Sequence, residues 1–254
     1  MVHVDGSIGW VRLKEYGYFP LSSSGILIRS GTVSKKAGRF FVTILVSIES
    51  EPESCKGTPL GIDLGIKDFA VISNGEVYRN INKTERIRKL EKKLKREQRK
   101  LSRRKPKKGG TAAKNYSKQL VKVQRLHQRL ASIRLNYQNQ IVFNLTKTKP
   151  SYIAIEDLNV SGMMKNRHLS RAIASQGFNM FKERLISKCK AIGIELRVVD
   201  RWYASSKICH ECGSKNPSLD LSERVFTCGS CGHVVDRDYN ASLNIRDCQE
   251  YKVA

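Results

Sequence analysis

The sequence predicts a mixed α/β fold that carries two insertions, and three observations support this. Strand-like and helix-like segments alternate in the second half of the chain, which implies a sheet with at least some parallel pairing. Residues 84–148 show apolar residues at helical spacing instead. Two Cys-x2-Cys pairs, separated by fifteen residues, stand near the end of the chain.

Residues 1–58 are predicted to form a β-rich domain and a linker. The apolar run 40–48 (FFVTILVSI) is β-branched and aromatic and follows the turn-forming SKKAGR, so it predicts a strand. It is too short to span a bilayer. The acidic, proline-containing segment 49–59 is the predicted linker. The start of the chain lacks a basic stretch followed by an apolar one, and seven cysteines, an odd number, argue against a disulfide scaffold. We therefore expect a cytosolic protein.

The strands of the main domain are predicted from residue 60 onward. The segment 60–78 contains LGIDLG, which is apolar apart from Asp63, and Asn74-Gly75 is a strong hairpin signal, so Asp63 is placed on the first strand of an antiparallel hairpin. Strands are also predicted over 152–158 and 194–200, with one amphipathic helix over 170–192 between them. A last helix is expected to begin near Asp238.

The inserted segment 84–148 is predicted to be two long helices folded back as a hairpin, with the break at Pro106–Gly110. The net charge of the chain is +24, and residues 79–149 alone contain 24 Lys/Arg against 3 Glu. Such a surplus favours nucleic acid as the partner over a membrane surface, since no broad apolar face lies opposite the cations. We expect the hairpin to bind nucleic acid through Arg96, Arg99, Arg103 and Arg104, the alternative being a solvated charged face.

The four cysteines predict one structural zinc ion. Cys209, Cys212, Cys228 and Cys231 can form two knuckles that complete a tetrahedron of thiolates, and a glycine follows each knuckle. A pair of redox dithiols is the weaker alternative. His210 and His233 are interpreted as bystanders, because four thiolates saturate the ion. Cys55, Cys189 and Cys248 are interpreted as ordinary thiols.

Three acidic residues stand where an acid is costly, and they are the candidate catalytic residues. Asp63 and Glu156 lie within otherwise apolar strands, and Asp238 lies at the start of the last helix. Clustered carboxylates repel one another unless cations share the site, and Mg²⁺ prefers such oxygen ligands. Two ions about 4 Å apart would serve phosphodiester cleavage. Asp157 is expected to face away from Glu156, whereas spacing alone leaves Asp236 and Asp238 as alternatives.

In order along the chain, the motifs GIDLG, IAIEDLN, CxxCG…CxxC and DRDYNASLNI resemble the OrfB/TnpB proteins of insertion sequences, which are similar to the type V CRISPR effector nucleases. The resemblance covers residues 60–246. It implies an RNase H-like (RuvC-type) nuclease domain over 59–254, with the helical hairpin and a zinc ribbon (205–235) as insertions. It also places the catalytic acids at Asp63, Glu156 and Asp238, thereby favouring Asp238 over Asp236.

By resemblance the activity is RNA-guided cleavage of DNA, with guide RNA and DNA as partners and Mg²⁺ as the catalytic ion. Proteins of this family are often called transposases after the element that encodes them. Family members usually begin with a helical region and a complete β-barrel wedge, whereas here SIGWVRLKEYG resembles the middle of that wedge. We therefore expect a truncated form with a partial wedge over 1–58.

Three other functions are weaker. A non-catalytic nucleic-acid binder would be expected to lack one of the acids, and all three motifs carry one. A transposase with a tyrosine nucleophile would need a His-hydrophobe-His motif, which the sequence lacks. A zinc-ribbon transcription factor leaves the acids unexplained.

Overall fold

A computed structural model describes residues 2–3, 10–11, 26–48, 54–106, 114–220 and 223–254. Most of the predicted wedge segment 7–17, linker residues 49–53 and most of the predicted hairpin break lie outside these ranges.

The strands are β1 (Val2–His3), β2 (Trp10–Val11), β3 (Ile26–Lys36), β4 (Arg39–Ile48), β5 (Leu60–Leu64), β6 (Asp68–Ile72), β7 (Val77–Arg79), β8 (Tyr152–Glu156), β9 (Glu195–Val199), β10 (Val225–Thr227), β11 (Val234–Asp236) and β12 (Tyr251–Val253). The α-helices are α1 (Glu85–Arg103), α2 (Lys114–Lys147), α3 (Val160–Met163), α4 (Ser170–Gln176), α5 (Phe178–Ile192) and α6 (Arg237–Asp247).

The chain divides into two compact units. The first comprises Met1–Glu51 with Lys92–Arg129, and the second comprises Pro52–Glu91 with Leu130–Ala254. The domain boundaries expected from the sequence, at residues 58 and 59, stay a prediction.

The first unit contains a β-hairpin and parts of two antiparallel helices. Strands β3 and β4 pair through the turn Ala37–Gly38, where both residues adopt positive φ. In the helices, Arg104 contacts Gln119 at 3.2 Å, and Gln98 contacts His127 at 3.1 Å. From Arg104, which directly follows α1, back to Gln98 of α1, the contacted residue moves forward along α2, from Gln119 to His127. The helices therefore run antiparallel, as the apolar periodicity predicted.

The second unit is built on a six-stranded mixed sheet with the order β12-β9-β8-β5-β6-β7. Strands β5, β6 and β7 form an antiparallel meander, whereas β8 is parallel to both β5 and β9. The predicted α/β character and mixed pairing are therefore confirmed.

Both faces of the sheet are covered, and the two faces can be told apart along β8. Ile153 and Ile155 belong to the large core with Phe181 of α5. Ala154, between them, packs with Ile245 of α6. Since successive strand residues point to opposite faces, β8 presents its odd-numbered residues to α5 and its even-numbered residues to α6.

Three details differ from the sequence predictions. The single helix expected over 170–192 is broken at Gly177, which has φ +68° and both ends α4 and begins α5. The Asn74-Gly75 turn was expected to close the hairpin that begins with Asp63's strand, but it joins β6 to β7, one strand later. Residues 65–67 join Asp63's strand to its antiparallel partner β6. Strand β12 was not predicted, because three residues at the end of the chain carry too short a pattern to recognise.

Candidate catalytic site and metal centre

The acidic site begins at the ends of two parallel strands. In the register of β5 and β8, Ile62 lies opposite Ile155, so Asp63 and Glu156 follow side by side. Both isoleucines belong to the core on the α5 side. Because side chains alternate along a strand, Asp63 and Glu156 project on the opposite, α6-facing side of the sheet.

Helix α6 brings the third acid to this edge, and Gly61 permits its close approach. A Cβ atom on Gly61 would lie 2.0 Å from the carbonyl oxygen of Ser242 and 2.6 Å from the amide nitrogen of Arg246, so only glycine fits. Asp238 lies in the first turn of α6, one turn before Ser242. The backbone contact at Gly61 therefore fixes where Asp238 stands relative to Asp63.

Electrostatics show that the three acids share one environment. Burial raises the pKa of Asp63 well above its usual value, and the carboxylates of Asp238, then Glu156 and, least, Asp236 raise it further, against a lowering by Arg237. Burial also raises the pKa of Glu156. The structure thus brings all three predicted acids together as a cluster in which a negative charge is costly.

Two arginines orient Asp238, and sequence reasoning missed both. Arg237 donates from Nη2 to Oδ1 of Asp238 at 2.8 Å, and Arg224 donates from Nη1 to Oδ2 at 3.3 Å. Asp236 has another role, since its Oδ1 caps α6 by accepting from the amides of Asp238 and Tyr239, each at 3.0 Å. Asp236 thus uses one carboxylate oxygen for the helix cap, whereas both carboxylate oxygens of Asp238 accept from arginine side chains.

The other nearby acids are engaged elsewhere. Asp157 accepts from Lys182 Nζ at 2.7 Å and from Arg201, and the hydrogen bond from Lys182 is the main reason that its pKa is lowered. Lys182 belongs to α5, so Asp157 does face away from Glu156. Burial, with a smaller contribution from Asp68, raises the pKa of Tyr137, which places Asp68 near α2.

The four cysteines form a group that could hold a metal ion. Their sulfur atoms all lie within 4.8 Å of one another, and the pairs Cys209–Cys231 and Cys212–Cys228 are 3.7 Å and 3.6 Å apart. Within the described ranges, no other group of three or more His, Cys, Asp or Glu side chains brings its ligand atoms this close together. The three carboxylates are more widely spaced.

The two knuckles repeat the same backbone pattern. The amides of Cys209 and Cys228 bond the carbonyl five residues later, and the amides of Gly213 and Gly232 bond back to the carbonyls of those cysteines. Both glycines have φ near +74° with nothing near a Cβ, so backbone conformation alone requires glycine there. His210 lies 3.7 Å from Asp247 and, like His233, is outside the metal group.

The cysteine-rich segment is tied to α6 by two buried asparagines that sequence reasoning also missed. Asn240 donates to the carbonyl of Ile208 at 2.7 Å and accepts from the amide of His210 at 3.1 Å. Asn244 donates to the carbonyls of Ser205 and Ile208, both at 2.7 Å. The helix that carries Asp238 is thereby held by the metal-binding segment as well as by Gly61. The sequence signal for these two asparagines was the polar face of α6. An isolated amphipathic helix would leave such a face in solvent, whereas here it is buried.

The four arginines proposed from the sequence, hereafter the arginine group, are exposed residues of α1 and its end: Arg96, Arg99, Arg103 and Arg104. The first three are spaced by three and four residues and so share a helix face. Glu97, in contrast, is buried, where its side chain and carbonyl both accept from Gln119. The arginine group is therefore on a surface that a ligand can reach.

Comparison with known proteins agrees with these motifs. The family model OrfB_IS605, described as "Probable transposase", matches residues 43–167, and a model described as "Cas12f1-like, TNB domain" matches residues 178–245. The chain belongs to the OrfB/TnpB family. It is 37% identical over 215 residues to a Streptomyces pristinaespiralis protein named "Putative RNA-guided DNA endonuclease", which covers 84% of this chain and 51% of the relative.

Other family members and one solved fold are similar. The Escherichia coli (strain K12) protein named "Putative RNA-guided DNA endonuclease InsQ" is 30% identical, over 94% of this chain and 60% of its own length. This OrfB/TnpB chain therefore spans about half the length of these curated relatives. A CRISPR-Cas12f ternary complex shares the fold with a TM-score of 0.54 at 22% identity, covering 90% of this chain and 46% of that one. Among the described residues, no helix has the length and apolarity needed to cross a membrane.

Proposed function

We propose that this OrfB/TnpB chain is an Mg²⁺-dependent DNA endonuclease with an RNase H-like (RuvC-type) core, directed to its target by a guide RNA. One observation carries the proposal: β5, β8 and α6 bring Asp63, Glu156 and Asp238 to one edge of the sheet. Three separate elements converge there, and each contributes one carboxylate. The names of the relatives supply the nucleic-acid substrate class.

The donor set fits hard divalent cations. Asp63 is buried beside two other carboxylates, and a cation would offset the repulsion that raises its pKa. Asp63, Glu156 and Asp238 would hold Mg²⁺, which when bound supplies charge stabilisation and activation of water for phosphodiester hydrolysis.

The chain's own residues set the geometry of this site. Arg237 and Arg224 hold the carboxylate of Asp238 in one orientation. Lys182 keeps Asp157 on the far face, so that Glu156 alone enters the cluster from β8.

The four cysteines fit one structural zinc ion. Four sulfurs within 4.8 Å of one another supply a closed tetrahedral set of soft ligands, which leaves no position for a substrate. Asn240 and Asn244 of α6 donate hydrogen bonds to the cysteine-rich segment. By fixing that segment, the ion would stabilise the start of α6 without taking part in the reaction.

The arginine group supports nucleic-acid binding. Cations on an exposed helix face contact phosphates without reading bases, which suits a heteroduplex whose specificity comes from guide pairing. Guide RNA and DNA are thus the proposed partners.

A cleavage assay on a preformed R-loop tests the proposal. An RNA of roughly 20 nucleotides, annealed to one strand of a DNA bubble, supplies the heteroduplex and a displaced strand together. We expect the chain to cut this substrate in Mg²⁺. Asp63→Ala, Glu156→Ala and Asp238→Ala should abolish cutting while binding is unchanged.

Asp68→Ala is the matched control, because Asp68 lies on the neighbouring strand near Tyr137 rather than in the cluster. This variant should cut like the wild type. Cutting at the wild-type rate by Asp63→Ala would overturn the nuclease assignment and leave a nucleic-acid-binding protein.

A further inference from the structure

Trp202 is 85% exposed, more than any other large apolar side chain among the described residues. A single exposed apolar residue does not indicate a function by itself, because many protein surfaces have them. For Trp202, the position of the residue in the fold is the further observation. The tryptophan lies in the loop that follows β9, at the same end of the sheet as the acidic cluster.

The strand pairing places this loop beside Glu156. Val199, the last residue of β9, lies opposite Glu156, and the amide of Asp157 donates to the carbonyl of Val199 at 2.9 Å. Trp202 follows Val199 by three residues, so the chain between them spans at most about 10 Å. The indole is thus within reach of a nucleotide whose phosphate lies at Glu156.

The loop backbone is held while the indole stays in solvent. The amide of Trp202 donates to Oδ1 of Asp200 at 2.8 Å, and the amide of Tyr203 donates to the carbonyl of Asp200 at 3.0 Å. Tyr203 packs into the core cluster that includes Ala154. The same turn therefore buries one aromatic ring and presents the other, so a ligand would not have to order the backbone.

Cations adjoin the loop, which also contains Asp200. Arg201 precedes the tryptophan, and both Arg201 and Lys182 pair with Asp157. Asp157, the acid that follows Glu156, is consequently neutralised by two cations. An aromatic face beside neutralising cations is the combination with which proteins bind single-stranded nucleic acid.

We propose that Trp202 stacks on an unpaired base of a DNA single strand next to the phosphate that is cut. The stacking site rests on the proposed nuclease function for its location, but its binding chemistry is independent of cleavage. A duplex offers no free base face inside its stack, so the site selects a displaced or melted strand. Every base has an aromatic face, so the contact adds affinity without sequence preference.

Fluorescence in the absence of Mg²⁺ tests this directly. The chain has two tryptophans, so a Trp10→Phe background leaves Trp202 as the only indole that reports. Titration with a single-stranded DNA oligonucleotide should quench this emission. An oligonucleotide of the same length with abasic sites should bind through its phosphates, as shown by anisotropy of an end label, without the quenching.

Affinity gives a second readout. Trp202→Ala should weaken single-strand binding by roughly 5- to 150-fold, the range for loss of one stacked base, and should leave duplex binding unchanged. Trp202→Phe should recover most of the lost affinity, because it keeps an aromatic face.

The outcomes separate this proposal from the nuclease proposal. Equal quenching by both oligonucleotides, absence of single-strand binding, or wild-type affinity in Trp202→Ala would each overturn the stacking site, even if the chain cuts DNA. Base-dependent quenching in a chain that cuts nothing would support the stacking site and count against the nuclease.

Discussion

The contact between Gly61 and α6 gives the sharpest quantitative prediction for the site. In Gly61→Ala the new Cβ would lie 2.0 Å from the Ser242 carbonyl oxygen, whereas real Cβ atoms do not approach within 3.0 Å. Strand and helix must separate by at least about 1 Å, because the crowded atoms belong to the backbone and cannot rotate away. Asp238, one turn away on the same helix, moves with them relative to Asp63.

This separation should affect both stability and rate. Overpacking of this kind costs about 1–3 kcal/mol, which in a protein of this size lowers Tm by about 2–4 °C for each kcal/mol. A displacement of 1 Å at reacting groups costs about 100-fold in rate. We therefore expect Gly61→Ala to lose about two orders of magnitude in R-loop cleavage at temperatures where it is fully folded.

Gly75→Ala is the matched control. Gly75 has φ +90° with nothing within 4 Å of a Cβ, so alanine there pays only for the left-handed backbone, about 1–2 kcal/mol. The control should lose comparable stability and keep its cleavage rate. The reasoning would be refuted by wild-type cleavage in Gly61→Ala, or by equal loss of activity in Gly75→Ala.

Elemental analysis should find one Zn²⁺ per chain, lost in Cys228→Ser and kept in Cys55→Ser; a full complement in the first variant would contradict the ligand assignment. Replacing all four residues of the arginine group by glutamine should reduce the slope of log K against log salt for duplex DNA by about 3 to 4, and an unchanged slope would mean a merely solvated face. Hydrogen bonds from Gln119 and then Lys100 lower the pKa of Glu97 to about 2. The Tm of the wild type should therefore exceed that of Glu97→Gln by a full margin above about pH 4.5, and this margin should shrink toward pH 2. A margin that does not depend on pH would contradict this.

The sequence was sufficient for those features that local pattern controls. Helical spacing of apolar residues predicted α1 and α2, and alternation of apolar strands predicted the mixed sheet. An acid within an apolar strand was the sequence signal that singled out Asp63, and the structure places this acid, buried, near the carboxylates of Asp238 and Glu156. The two Cys-x2-Cys pairs likewise predicted a compact sulfur group.

Features that depend on tertiary contact were not predictable in the same way. The break at Gly177 looks like an ordinary glycine within a helical pattern, and only the fold shows its left-handed backbone beside the Gln138 side chain. Arg224 meets Asp238 because β10 and β11 pair and deliver both residues to the start of α6. Asn240 and Asn244 bond carbonyls more than thirty residues away, which no local pattern reports.

The comparison with relatives adds the family, and the structure adds the arrangement of the site. Identity of 37% and 30% to proteins named for RNA-guided DNA cleavage is consistent with the acids and cysteines that the motifs carry. The residues that hold those groups in place are visible only in the fold. Substitutions that test the arrangement of the site, rather than family membership, are therefore those at Gly61, Arg237 and the α6 asparagines.

Anomalous scattering from crystals soaked in Mn²⁺ tests the central claim most directly, namely that Asp63, Glu156 and Asp238 bind divalent cations. Data collected at the zinc and manganese absorption edges distinguish the two kinds of site within one crystal, so the cysteine group serves as an internal reference. We predict a zinc peak among the four sulfurs and manganese density among the three carboxylates, with the manganese density absent in Asp63→Asn. A zinc peak without any manganese density at the carboxylates of the wild type would contradict the claim.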